Sequence, residues 1–195
     1  IKRAALSSQQ QLSLITSNLG EKIDNISNYA ITLSINSNIA DVLKENPTVP
    51  ENTLEHFLVN SELTDQAQRI IGLHKNIYAW DILDTENHWF HSSTTETDQL
   101  DSILGPEVLD SLQTNLAFQF LGPFQISGEP TFVALKSITN IDNTKYLGAL
   151  VLLIRETNIS SAFRDLPDSS SRDFYITDEN GQILSSSSSG GIYKD

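Results

Sequence analysis

The sequence contains no cysteine and no methionine. The first absence removes disulfides, thiolate metal sites and cysteine nucleophiles in one step. The second leaves the chain without an initiator residue, and we expect it to be a segment of a longer polypeptide. Basic residues are scarce: 12 Lys and Arg face 25 Asp and Glu, a formal net charge of −13. A field of that sign repels phosphate backbones and anionic lipid head groups, and no basic stripe offsets it, so nucleic acid is not expected as a partner. No run of about 18 apolar residues exists, so nothing reads as a membrane span, and any membrane segments would flank the chain. No signal-peptide pattern is present. Gly-rich phosphate loops, Gly-x-Ser-x-Gly elbows and His-Glu-x-x-His pairs are also missing, and we expect no catalysis, no cofactor and no metal. What remains is 195 residues with 38% hydrophobic content, enough for a packed core.

Leu12, Ile15, Leu19, Ile23, Ile26, Ala30 and Leu33 recur every three or four residues, which places them on one helical face. Between Ala4 and Val42 there is no proline and a single glycine, Gly20. This predicts one continuous helix over 4–43, roughly 55 Å long. Such a rod exceeds the width of a small domain and reads as a stalk; the alternative is an ordinary core-facing helix. Pro47 and Pro50 stop it. A second helix follows, capped by Thr53, with Leu54, Phe57, Leu58, Leu63, Ile70 and Ile71 as its apolar face.

From Asn76 the period shortens towards two. Strands are expected at 77–83 and 89–93, joined by a hairpin loop at 84–87. A polar loop then leads to a short helix starting near Gly105 and Pro106, with Val108, Leu109 and Leu112 as its buried face. Strands resume at 118–121, 131–138 and 146–154. The last is nearly all apolar, the mark of a central strand covered on both faces. A linking helix is expected over 156–166. The tail from Phe174 to Ser186 then repeats the pattern of Trp80 to Ser92: strand, acidic turn, strand, small polar residues. Aligning Asp178 with Asp84 pairs Ile176 with Ile82 and Ile183 with Trp89. The Ser-rich run 185–191 is of low complexity.

His88 and His91 fall on opposite faces of their strand and cannot chelate one metal together. His91 reads either as a pocket donor or as a partly exposed strand residue. Tyr78 and Trp80 share one face of the first strand, and Trp89 and His91 share a face of its neighbour. Phe120 shares a face with Phe118, and Phe132, Ala134 and Lys136 share one in the same way. Tyr78, Trp80, Trp89, His91, Phe120, Phe132 and Lys136 are therefore the candidate ligand contacts, since an aromatic-lined cleft with few polar groups suits a small molecule. Lys136 would meet a ligand carboxylate or phosphate, or else pair with a surface Asp. Asp81, Asp84 and Glu86 read as a solvated turn rather than an acid–base pair.

Helix, helix, hairpin, short helix, three strands and the same hairpin again: in that order the chain resembles the double Cache sensor domains. The likeness rests on the hairpins 82–93 and 176–186 and on Leu147-Gly148-Ala149-Leu150-Val151-Leu152, followed by Glu156-Thr157-Asn158-Ile159. It implies an α+β fold in which a long N-terminal helix packs on a PAS-like antiparallel sheet, followed by the start of a second, truncated PAS-like module. The boundaries would be a stalk helix 1–45, a membrane-distal module 46–155, a linking helix and loop 156–170, and a partial membrane-proximal module 171–195. The resemblance implies a non-catalytic, extracytoplasmic signal-input domain of a bacterial membrane receptor. A two-component histidine kinase of a Gram-positive organism comes first; a chemotaxis receptor and a structural dimerisation module are the alternatives. The implied partners are a small-molecule ligand or a solute-binding protein, and a second copy in the whole receptor. The amino-acid-binding subgroup carries a Tyr, Arg, Trp-Tyr and Asp signature. Arg69 lies in the corresponding region, but no Trp-Tyr pair follows it, so capture of an amino-acid carboxylate is not expected.

Overall fold

A computed structural model of the chain describes residues 2–46, 49–50, 52–72, 76–91, 97–140, 142, 145–164, 174–177, 181 and 183–186. Helix α1 (Lys2–Ser34) has 33 residues, roughly 50 Å. Ile15, Ile26, Ala30 and Leu33 of the predicted stripe are buried, whereas Leu12 is exposed. The helix ends at Ser34 and does not run on to Leu43, so the continuous rod expected over 4–43 is broken. Asn36 leaves helical geometry (φ −68°, ψ 119°) and its side chain accepts the Ile39 amide at 3.1 Å, which starts α2 (Ser37–Glu45). No proline is needed for such a break, because an Asn side chain replaces the lost amide partner.

Helix α3 (Leu54–Ile71) opens with the expected Thr53 cap, whose hydroxyl accepts the His56 amide at 3.1 Å. Its buried stripe is Val59, Leu63, Ala67 and Ile71, spaced by four. Leu54, Phe57 and Leu58 are instead 75, 67 and 58% exposed, so they are not part of the packed face expected for them. The expected stripe mixed two sides of the helix. Only the side running from Val59 reaches the core.

Five strands form an antiparallel sheet: β1 (Ala79–Asp84), β2 (Trp89–His91), β3 (Gln119–Ile126), β4 (Glu129–Thr139) and β5 (Tyr146–Arg155). Their order is β2-β1-β5-β4-β3, which puts the apolar β5 in the middle, as its composition predicts. Period-two alternation splits β5 between two cores. Leu150, Leu152 and Ile154 join Trp80, Ile82, Phe90 and Phe132 beneath α1, α2 and α3. Ala149, Val151 and Leu153 join Leu83, Trp89, Val133 and Leu135 on the other face. That second face is roofed by α4 (Thr97–Ile103) and α5 (Pro106–Thr114) through Leu100, Leu104 and Leu112. Each such leucine contributes about 1.5–3 kcal/mol by leaving water. Helix α4 lies where a polar loop was expected.

Gly148 has a specific reason to be glycine: a Cβ there would meet the Leu83 carbonyl oxygen of β1 at 2.5 Å. Ser127 (φ 51°) and Gly128 (φ 77°) turn β3 into β4 with two consecutive positive φ angles, as a type I′ hairpin requires.

Helix α6 (Glu156–Arg164) follows β5 directly, and β6 (Tyr175–Thr177) pairs with β7 (Ile183–Ser186) in a separate two-stranded sheet. The pair Thr177 and Ile183 repeats the first hairpin's Leu83 and Trp89. Ile176 pairs with Ser185 across a bulge, so the repeat slips by one residue there. The turn residues 178–180 and 182, the tail beyond Ser186, Ser92 and His74 lie outside the described residues. The buried Glu156 carboxylate ties the second hairpin to α6: it accepts hydrogen bonds from Ser185 Oγ on β7 and, at 3.3 Å, from Ser160 Oγ.

Candidate functional site

Asp81 sits at the centre of β1, opposite His91 of β2 and Val151 of β5. Its side chain points to the α4 side, in step with Ala79 and Leu83, and it is wholly buried. It is therefore no part of a solvated turn. Burying a carboxylate is costly without a partner. Here His91 Nδ1 lies 2.8 Å from Asp81 Oδ1. The His91 ring stacks on Trp89 at 5.7 Å between centroids, and Trp89 Nε1 donates to Asp101 Oδ1 of α4 at 2.9 Å. Asp81, His91, Trp89 and Asp101 thus form one polar line across β1, β2 and the roof.

β2 is an edge strand of three residues, and α3 closes its open side. Asn60 Oδ1 accepts from His91 N at 2.9 Å, and Asn60 Nδ2 donates to His91 O at 3.2 Å. One side-chain amide therefore supplies both bonds that a further strand would make. His56, one helical turn earlier, donates from Nε2 to the Trp89 carbonyl at 3.0 Å and stacks on Phe90 at 4.8 Å. Gln99 holds α4 from its other side by accepting the Ser127 amide at 2.9 Å.

Asp84 is also buried, and its role is local. Oδ1 accepts the amides of Glu86 and His88, each at 2.8 Å, and Oδ2 lies 3.1 Å from His88 Nδ1. These bonds shape the hairpin turn, with Asn87 at φ 66°.

Of the seven candidate contacts, Trp89 and His91 come together on the α4 face. Trp80 and Phe132 are buried on the opposite face under the long helices, and Phe120 packs against that core, stacked on Phe132 at 5.1 Å. Tyr78 lies at the sheet's end, its ring 4.8 Å from the Arg155 guanidinium and its hydroxyl 3.2 Å from Thr131 Oγ1. Lys136 is on the α1 side, donating from Nζ to the Leu116 carbonyl. Arg69 is exposed near the end of α3. Asp81, Asp101 and Asn60 were missed by the sequence reading. A charge inside Ala79-Trp80-Asp81-Ile82-Leu83 was the available signal for the first. Among the described residues, no three His, Asp or Glu side chains gather as metal ligands, and no helix is long and apolar enough to cross a membrane.

No protein-family model and no curated protein matches the sequence. Solved structures do. The sensor domain of the Vibrio cholerae histidine kinase DctB superposes with a TM-score of 0.66 at 16% identity, covering 96% of this chain and 69% of that one. The sensory domain of the Campylobacter jejuni chemoreceptor Tlp3, with isoleucine bound, gives 0.63 at 13% identity, covering 95% and 71%. The ligand-binding domain of the Pseudomonas fluorescens chemoreceptor CtaA, in complex with L-serine, gives 0.62 at 11%, covering 95% and 73%. With the long α1, the antiparallel five-stranded sheet and the second hairpin, the chain has the α+β fold of the Cache-type sensor domains of bacterial chemoreceptors and histidine kinases.

Proposed function

We propose that this chain is the extracytoplasmic signal-input domain of a bacterial transmembrane receptor, non-catalytic itself, with a small solute bound on the α4 face of the sheet. The observation that carries this reading is the wholly buried Asp81 carboxylate, held by His91 beneath a roof that also supplies Asp101. Neither α4 nor α5 contains a Lys or Arg. The charge of this face therefore suits an amine-bearing solute rather than an anion. Isoleucine and L-serine, named for the neighbouring domains, are natural first ligands to test. Missing from the Arg69 region is the Trp-Tyr pair that the resemblance would need for a carboxylate, so simple amines belong in the same panel.

Residues 46–155 would be the membrane-distal module, 171–195 the start of a membrane-proximal one, and α1 the element that carries the signal. A histidine kinase output is our first assignment and a chemoreceptor our second; the Gram-positive source rests on the Leu147–Leu152 strand and its helical exit alone. A homodimer in the whole receptor is carried over from the resemblance alone. Arrival of the solute on a binding protein is favoured by one feature, the exposed Leu54, Phe57 and Leu58 at the start of α3.

Thermal-shift titration against amino acids and amines tests the reading. At a hundredfold excess over Kd, a true ligand should raise Tm by roughly 5–10 °C. Asp81→Asn should remove that shift. Silence from the whole panel, or a shift that Asp81→Asn leaves intact, would rule out an amine site on this face.

A further inference from the structure

A second cleft, of about 360 Å³, opens on the sheet face that carries α1. It is lined by Ile31, Ser34 and Ile35 at the end of α1, by Leu116 and Phe118 on the way into β3, and by Lys136 on β4. We propose that this cleft is a small-molecule site distinct from the Asp81 face, and that it takes a compact monocarboxylate with an apolar body.

Three observations converge on that chemistry. The first is the wall. Ile31, Ile35 and Leu116 are 40, 58 and 38% exposed, and all three border the same cleft. An apolar guest would take this surface out of water. The second is the charge. Among the described residues Lys136 forms no ion pair, in a chain with 25 acidic residues. Its ammonium donates to the Leu116 backbone carbonyl, and an ammonium has three donors. The third is the commitment of the Ser34 hydroxyl, which donates to the Ile31 carbonyl at 2.9 Å; Ser137, also on the lining, turns its hydroxyl to the Leu112 carbonyl on the α5 face, and Thr139 completes the polar lining. The cleft's charged donor is Lys136.

Other ligand classes fit less well. A neutral hydrocarbon would strip water from the ammonium and return nothing to it. An amine would be repelled. Inorganic phosphate wants several converging donors and gains nothing from aliphatic walls. A carboxylate on an apolar body answers both halves of the site. Burial already lowers the Lys136 pKa from its ordinary value. A bound carboxylate would raise it again, so binding should take up protons and weaken as pH climbs through that interval.

The test is an NMR-detected titration of the whole chain with hexanoate and benzoate, with hexanol and benzyl alcohol as neutral matches. We expect saturable shifts at Ile31, Ile35 and Phe118, with the alcohols at least about tenfold weaker. Lys136→Met should weaken carboxylate binding by about tenfold or more while leaving the circular-dichroism spectrum unchanged. Ile35→Glu, at an exposed position, should block it by like charge without lowering Tm. No saturable shift up to about 10 mM, equal binding by Lys136→Met, or shifts confined to Trp89 and His91 would each overturn the proposal. Asp81→Asn should leave hexanoate binding intact, so failure at either face can be told from failure at the other.

Discussion

Tyr146 opens β5, and its phenol is pushed up to about 12, first by burial and then by the nearby Asp84 carboxylate. The native chain therefore keeps this proton after the unfolded chain, titrating near the ordinary tyrosine value of 10.0, has lost it. Stability contributed by the neutral phenol is complete below that value and is lost as pH rises through the interval up to about 12. Urea midpoints below and inside this window should fall less steeply for Tyr146→Phe than for the parent chain. Parallel slopes would mean that the phenol is no more protected than in the unfolded state. Asp81 gives the contrasting case of a charge that the sequence reading placed in solvent. Neighbouring Asp84 and Glu86 belong to the hairpin turn, and Asp81 sits three positions before Asp84, so proximity in sequence suggested a common role. Strand alternation overrides that proximity: Asp81 turns inward and needs His91.

Among elements, the short β2 depends on α3 as much as on β1. Asn60→Ala would leave the His91 N–H and C=O without the amide that now meets both, at a cost of about 1–3 kcal/mol. The expected signature is faster hydrogen exchange at His91 with little change in β4 and β5; unchanged exchange at His91 would show that water serves the edge equally well. This clamp could not be read beforehand, since it joins residues 31 positions apart through a side chain on a helix. The strands were more legible. Tyr146 to Ile154 is apolar on both parities, which only a central strand tolerates, and β5 is indeed third of five. Helix α4 escaped because its pattern is a single turn, Leu100, Ile103 and Leu104, set among Thr, Asp and Ser. The break at Asn36 escaped for a different reason: apolar spacing continues through Ile39 and Val42, and only the Asn cap marks the interruption.

For the molecule as a whole, the repeated hairpin was the most informative pattern, and its register survives at Thr177 and Ile183. What the pattern could not supply is the joint. Glu156, the first residue of α6, is buried with Ser160 and Ser185, so the second hairpin is fastened to the first sheet's exit by a carboxylate between two hydroxyls. Glu156→Ala should loosen that fastening by about 1–3 kcal/mol, as a buried polar pair broken on one side does. Hydrogen exchange across 183–186 should then accelerate while Val133, Leu135 and Val151 stay protected; equal acceleration in both sheets would show a single cooperative unit instead. The candidate site was the least legible part, because its seven residues divide between the two faces and one end of the sheet.

The early end of α1 also sets a mechanical ratio. Ile26, Ala30 and Leu33 grip the sheet near one end of the helix, and the chain turns away at Asn36 without extending the axis. Leu19 packs against the same core and Ile15 is buried further back, so only the turns before Ile15 form a cantilever. With about 1.5 Å of rise per residue, each degree of tilt at Ile15 sweeps Lys2 through roughly 0.3 Å, so a tilt of a few degrees where the side chains are packed becomes an ångström-scale swing at the far tip.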